Sequence, residues 1–212
     1  MFKKLLTFGM ATLVALGTMA GPPKNNEKTA WKFAKKQAAE LTKQGWKVDG
    51  SLTMEEAFFN HRMKLQSGDN VDEIVGNVQG AMATKTLNQA QQWGSTNACI
   101  SYSKQAGMLL RGRITSEIAA GVDAASLDNL YEGYEALVQK HIQGELKRSF
   151  GIYRETKDGR IEYKSYYIVD EDSASKARMR AMENMIKESE FARKHAEDIS
   201  KFVQEGFKIT NE

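Results

Sequence analysis

The chain has 212 residues with 30 Lys and Arg against 27 Asp and Glu, a formal net charge of +3. Two of the lysines lie in the first twenty residues, so 28 basic residues face 27 acidic ones in the rest. Such alternating, nearly balanced charge lacks the basic stripe of a nucleic-acid binder, and we expect no nucleic-acid partner. The single cysteine, Cys99, excludes an intramolecular disulfide and a thiolate zinc cage. We expect a buried thiol, with an intermolecular bridge as the alternative.

The first twenty residues have the organisation of a secretory signal peptide. Lys3 and Lys4 precede an uncharged apolar stretch over residues 5–16, and small residues follow at Thr18 and Ala20. The uncharged run is shorter than the roughly 20 residues needed to cross a bilayer, and no later stretch is longer. We therefore predict an exported protein, periplasmic or secreted after cleavage near Ala20, with no transmembrane segment in the mature chain.

The N-terminal part is predicted to form two helices that are separated by a short extended segment. Alanines and Leu41 recur at helical spacing over residues 26–44, which Gly45 ends. An extended piece over residues 46–48 and Asp49-Gly50 follow, and a second helix is predicted from residue 51 to about residue 65. After a turn, alternation over residues 71–82 predicts a strand, whose glycines on one face allow another element to pack close.

Two long helices separate this strand from a hairpin. The first is predicted over residues 85–120, is rich in small residues, and contains Gly94 and Gly107 as places for a kink or break. The second follows Gly121, with Asp123 as its cap. Asp158-Gly159 between alternating segments at residues 150–156 and 160–169 then predicts a β-hairpin with a two-residue turn. A final charged, alanine-rich helix follows residues 170–172.

These elements predict one α+β domain over residues 21–212, a small, mainly antiparallel sheet covered by several helices, including long central and C-terminal ones. Residues 25–66 form its N-terminal helical part. Residues 71–205 form a strand-helix-strand-strand-helix core. We expect no cofactor, since no Gly-rich phosphate loop or dinucleotide fingerprint occurs.

Four elements resemble, in their order, a module of small bacterial envelope proteins, including a family of outer-membrane lipoproteins. They are the strand at residues 74–82, the small-residue helix, the aromatic hairpin and the charged last helix. The opening helix that ends in Gly-Trp-Lys is also similar to exported proteins of Gram-negative gut bacteria. The resemblance implies an envelope location and a binding or assembly role. The chain departs from the lipoproteins because no cysteine stands near the cleavage site.

Two groups on the hairpin are candidates for function. In the two-residue register Glu155 stands opposite Glu162, and such a pair could act as general acid and base or hold a hard cation. The alternatives are solvent exposure beside neighbouring cations, or a different register. In the same register Tyr153, Lys164 and Tyr166 share the outer face and form a candidate binding site, unless the protein's own helices cover them.

The three histidines, His61, His141 and His195, have no metal-ligand spacing, and we expect each at the surface or at its boundary. The sequence thus favours a non-enzymatic envelope component that acts through protein contacts with an unidentified partner. A hydrolase or cation-binding domain that uses the glutamate pair is the alternative. Oligomerisation is a third expectation, suggested by the long helices and the single cysteine.

Overall fold

A computed structural model describes residues 27–68, 70–117 and 124–205. The predicted signal peptide, Gly121 and Asp123 lie outside the described residues. The helices are α1 (Glu27–Lys43), α2 (Met54–Ser67), α3 (Leu87–Glu117), α4 (Ala124–Ile142), α5 (Glu171–Glu188), α6 (Glu190–Lys194) and α7 (Ala196–Glu205). The strands are β1 (Lys47–Val48), β2 (Val71–Val78), β3 (Lys147–Glu155) and β4 (Ile161–Asp170).

The four strands form one antiparallel sheet in the order β1-β3-β4-β2. The hairpin β3–β4 is therefore central, and the two strands that precede it in sequence flank it. The α+β class is confirmed. β2 ends four residues earlier than predicted, at Val78, and a 3₁₀ turn over Gly80–Met82 follows it, with Gly80 at φ +59°. A positive φ interrupts an extended strand and suits glycine.

The hairpin turn is longer than the predicted two residues. The Thr156 N–H donates to the Arg160 carbonyl at 2.8 Å, and the Gly159 N–H donates to the Thr156 carbonyl at 3.0 Å. Gly159 has φ +74°, the left-handed residue that ends a three-residue turn. As a result Glu155 pairs with Ile161, and Glu162 pairs with Arg154. The predicted register is wrong by one residue, which changes the residues of β3 and β4 that share a face.

One face of the sheet, the α3 face, carries Ile74, Gly76, Val78, Tyr163 and Ser165. A Cβ placed on Gly76 would lie 1.8 Å from the Gly94 carbonyl oxygen, so the backbones of β2 and α3 meet at two glycines. The prediction that glycines of this strand allow close packing is confirmed. The helix α3 is continuous through Gly94 and Gly107 over its 31 residues, and the alternative of a break there is not observed.

Behind α3, the helices α4, α5 and α7 complete the larger core. Its fully buried side chains include Tyr102, Tyr134 and Met182. Arg178 is also buried there, at 3% exposure, and its guanidinium donates to the Glu171 carboxylate at 2.5 Å and to the Tyr102 hydroxyl at 2.7 Å. A buried charge requires such partners.

The opposite face, the α2 face, carries Phe150, Ile152, Glu162, Lys164 and Tyr166. The helix α2 begins with a capping box in which the Glu56 N–H donates to Thr53 Oγ1 at 3.2 Å and the Thr53 N–H donates to Glu56 Oε2 at 2.8 Å. Phe58 of α2 stands edge-on to the rings of Phe150 and Tyr166, with centroids 4.9 and 5.4 Å away.

The helix α1 packs on α2. Its buried residues are Ala30, Ala34, Ala38 and Leu41.

Candidate functional site

The structure separates the three residues of the predicted binding face. Tyr153 pairs with Tyr163 and points to the α3 face, where it is half-buried. Lys164 and Tyr166 lie on the α2 face, and Phe58 stands over Tyr166, which is 9% exposed. Burial raises the pKa of Tyr166, with a further contribution from the Glu73 charge. A helix of the protein therefore covers Tyr166, as the alternative expectation held for this residue, whereas Tyr153 and Lys164 are half-buried.

Lys164 lies beside Trp46, which precedes β1. The ammonium of Lys164 is 5.0 Å from the centroid of the Trp46 ring, and the guanidinium of Arg154 is 4.7 Å from it. Burial lowers the pKa of Lys164, and the Arg154 charge adds to this effect. Two cations thus share one buried indole, a cation–π arrangement that stabilises β1 against the hairpin.

Glu162 balances these cations. Its Oε2 accepts a hydrogen bond from Arg154 Nε at 2.6 Å, and its Oε1 accepts one from the Gly80 N–H at 2.8 Å. Burial opposes the ionisation of Glu162, but these two donors outweigh it and hold its pKa below the ordinary value. Glu155 is exposed and pairs with Ile161. The predicted opposition of the two glutamates is therefore wrong, and the geometry offers no carboxylate pair at this position.

The outer edge of β2 is a second candidate. Ile161 of β4 exchanges backbone hydrogen bonds with Thr84 on the β2 side of the hairpin, at 2.7 and 3.0 Å. By the alternation of an antiparallel ladder, Ile74, Gly76 and Val78 bond to β4 while their neighbours point outward. Within the described residues, no hydrogen bond occupies the outward backbone groups of Glu73 and Val75.

An exposed tryptophan lies beside this edge. Asn97 of α3 donates from Nδ2 to the Asn77 carbonyl oxygen at 2.6 Å, which places this side of α3 at the rim of β2. Trp93 is four residues earlier, on the same side of the helix, and is 44% exposed. Trp93 lies towards the Val78 end of β2, and we use the name β2 rim for the outward groups of Glu73 and Val75 together with the side chain of Trp93.

No known protein family, curated protein or solved structure matches this chain. Its function must therefore be inferred from its own surfaces. Within the described ranges, no three His, Cys, Asp or Glu side chains are gathered as metal ligands. No helix in the same ranges is long and apolar enough to span a bilayer.

His61 lies in the interior of the protein. It is 3% exposed and stands edge-on to the rings of Phe150 and Tyr166, with centroids 5.5 and 5.7 Å away, and its Nε2 is 3.1 Å from Glu73 Oε2. The expectation of a surface or boundary histidine is wrong for His61, whereas His141 and His195 are half-buried. The signal was present, because His61 lies three residues after Phe58, on the apolar stripe of α2.

Cys99 is buried at 4% exposure, as expected, and burial raises the pKa of its thiol. A protonated, inaccessible thiol is a poor nucleophile. An intermolecular bridge through Cys99 therefore has no support from the geometry.

Proposed function

We propose that this chain is an exported cell-envelope protein that acts as a non-enzymatic binding or assembly component through protein contacts, and that its contact surface is the β2 rim. The partner that fits this surface is an extended segment of another protein. Such a segment would add a fifth strand to the sheet and bury the indole of Trp93.

The outward backbone groups of β2 carry this proposal. An edge strand presents a row of donors and acceptors that an extended peptide can satisfy. Trp93 adds an apolar contact to these backbone hydrogen bonds. A large indole that is partly exposed in the free protein contributes binding free energy when a partner excludes water from it. The export itself is supported by the organisation of residues 1–20.

The experiment is a pull-down from solubilised envelope with mature protein that has an affinity tag. Val75→Pro removes an outward N–H and leaves the ladder to β4 intact, so it should abolish capture of a specific partner. Trp93→Ala should weaken capture about tenfold or more. The matched control is Met108→Ala, which removes another exposed side chain from α3, at 65% exposure, and should leave capture unchanged.

Circular dichroism and thermal unfolding must show that each variant folds. A partner that the Val75→Pro variant still holds with wild-type affinity would refute strand addition. Equal loss in the Met108→Ala variant would show that capture does not depend on the β2 rim.

A further inference from the structure

The outer surface of α1 combines aromatic rings with lysines. Trp31 and Phe33 are 38% and 42% exposed, although both are large apolar side chains. Trp31 packs against Phe59 at 4.6 Å, and the Arg62 guanidinium lies 5.2 Å from the Phe33 ring. Trp31 and Phe33 are two residues apart, so their rings flank the alanine stripe of α1 on its two sides, and the exposed lysines lie between them on the outer side of the helix.

The charge of α1 is opposite to that of the chain that follows it. In α1 five lysines face two glutamates, a net charge of +3, whereas residues 44–212 contain 22 Lys and Arg against 25 Asp and Glu, a net charge of −3. All five lysines are exposed: Lys28, Lys32, Lys35, Lys36 and Lys43.

We propose that α1 binds the surface of an anionic lipid bilayer, with its lysines over the lipid phosphates and the rings of Trp31 and Phe33 at the two sides of the lysine face. This contact uses a different surface from the β2 rim, so it adds to the proposed function and does not depend on it. The alanine stripe of α1 is occupied by α2, so the helix would lie on the bilayer without crossing it.

The side-chain chemistry favours lipid over an acidic protein. All cations of α1 are lysines, which are depleted from protein interfaces, whereas arginine is enriched there. Lysine is a flexible point charge that suits a diffuse layer of phosphates. Tryptophan and other aromatic rings are typical anchors at the interface of a membrane with water. The rings and lysines surround a convex helix, the shape that a flat bilayer can meet.

The test is flotation of the mature protein with two kinds of vesicle, pure phosphatidylcholine and phosphatidylcholine with about one third phosphatidylglycerol. We expect binding to the anionic vesicles alone. Lys32→Glu/Lys36→Glu should reduce the partition coefficient about tenfold or more, and high salt should have a similar effect. Lys157→Glu/Lys194→Glu changes the net charge equally at exposed positions elsewhere and should have a much smaller effect.

The contribution of the rings is tested separately. Trp31→Ser/Phe33→Ser should weaken binding to anionic vesicles, whereas Trp93→Ser, which removes an indole of similar exposure from α3, should not. The proposal is overturned if the wild-type protein ignores anionic vesicles, or if the α1 variants bind them as the matched controls do. Pure lipid contains no protein partner, so either result leaves the β2 rim to be judged by its own experiment.

Discussion

The two helical layers on the sheet are held by different kinds of contact. On the α3 face, Gly76 and Gly94 bring backbone against backbone, so no side chain can be added between strand and helix. On the α2 face, Phe58 and His61 stand on the rings of Phe150 and Tyr166, and a polar network ties the layer to the rest of the molecule. The first layer is positioned by close backbone packing, and the second by aromatic contacts together with directional polar bonds.

Asp49, directly after β1, is the centre of that network. Its Oδ2 accepts hydrogen bonds from the Tyr163 hydroxyl at 2.6 Å, from Gln91 at 2.7 Å and from Arg148 at 2.5 Å. Burial opposes the ionisation of Asp49, but these donors outweigh it and lower its pKa. One carboxylate thus connects the N-terminal layer to α3, β3 and β4. We expect the α1–α2 layer to open more easily than the α3 layer, because a few polar bonds are lost more readily than a close-packed contact.

The largest effect is expected where the backbones meet. Gly76→Ala places a methyl carbon 1.8 Å from a backbone oxygen, so α3 must move away from the sheet, and we expect a loss of about 3 kcal/mol or more of unfolding free energy. Urea unfolding measures it. The matched control is Gly112→Ala in α3, where a Cβ meets nothing within 4 Å. It should stabilise the protein by about 0.5–1 kcal/mol.

A Gly76→Ala variant as stable as the wild type would show that the two layers do not differ in closeness of packing.

A smaller loss of stability is expected when the hydrogen bonds of Asp49 are weakened. Asp49→Asn removes the charge that three donors share and should cost about 1–2 kcal/mol. Hydrogen exchange should accelerate in α1 and α2 and stay unchanged in α4 and α5. The control is Asp128→Asn, whose carboxylate forms an exposed ion pair with Arg111 at 3.7 Å and should change stability little. Equal acceleration in all helices would contradict separate opening of the N-terminal layer.

The smallest effect is expected in the pH dependence of stability, and it concerns the N-cap of α5, a helix in the core behind α3. The Ser173 N–H and the Lys147 ammonium lower the pKa of Asp170, the N-cap of α5, from 3.8 to about 2. A carboxyl with a depressed folded-state pKa contributes stability above its unfolded pKa, and this contribution is lost as the pH falls from about 3.8 towards 2. Asp170→Asn still caps the helix, so its stability should fall less over that interval in urea titrations. Parallel pH curves for the two proteins would exclude this role.

The sequence predicted the order of the elements through the hairpin, because glycines and caps separate the helices and Asp158-Gly159 marks the hairpin turn. The single final helix that it predicted is instead divided into α5, α6 and α7. It could not predict which face each hairpin residue occupies. Asp-Gly is compatible with turns of two or three residues, and the choice depends on the bond between Thr156 and Arg160. One residue of register moved Tyr153 away from Lys164 and Tyr166, and the predicted site was lost with it.

Local sequence patterns also could not predict which strands lie at the edges of the sheet. Nothing in the sequence near Trp93 indicates that β2 is an edge strand. The position of β2 in the sheet follows from its pairing with β4, about 90 residues away in sequence. The exposure of Trp93 and Trp31 also differs from that of Trp46 for reasons of tertiary packing alone. Periodicity identifies an apolar stripe on a helix, but it does not tell which rings remain outside it.

The strand order has a consequence for synthesis. The strands made first, β1 and β2, do not touch each other and lie at the two sides of the sheet, while the last two strands fill its middle. Of the strands in the described residues, a nascent chain that has not reached residue 147 therefore contains only β1 and β2, which do not pair. Long-range pairing of this kind slows folding. The parts of the core that pack on the sheet can therefore form only after β4, which ends at Asp170, has been made, whereas the contacts of α1 with α2 and of α3 with α4 can form earlier.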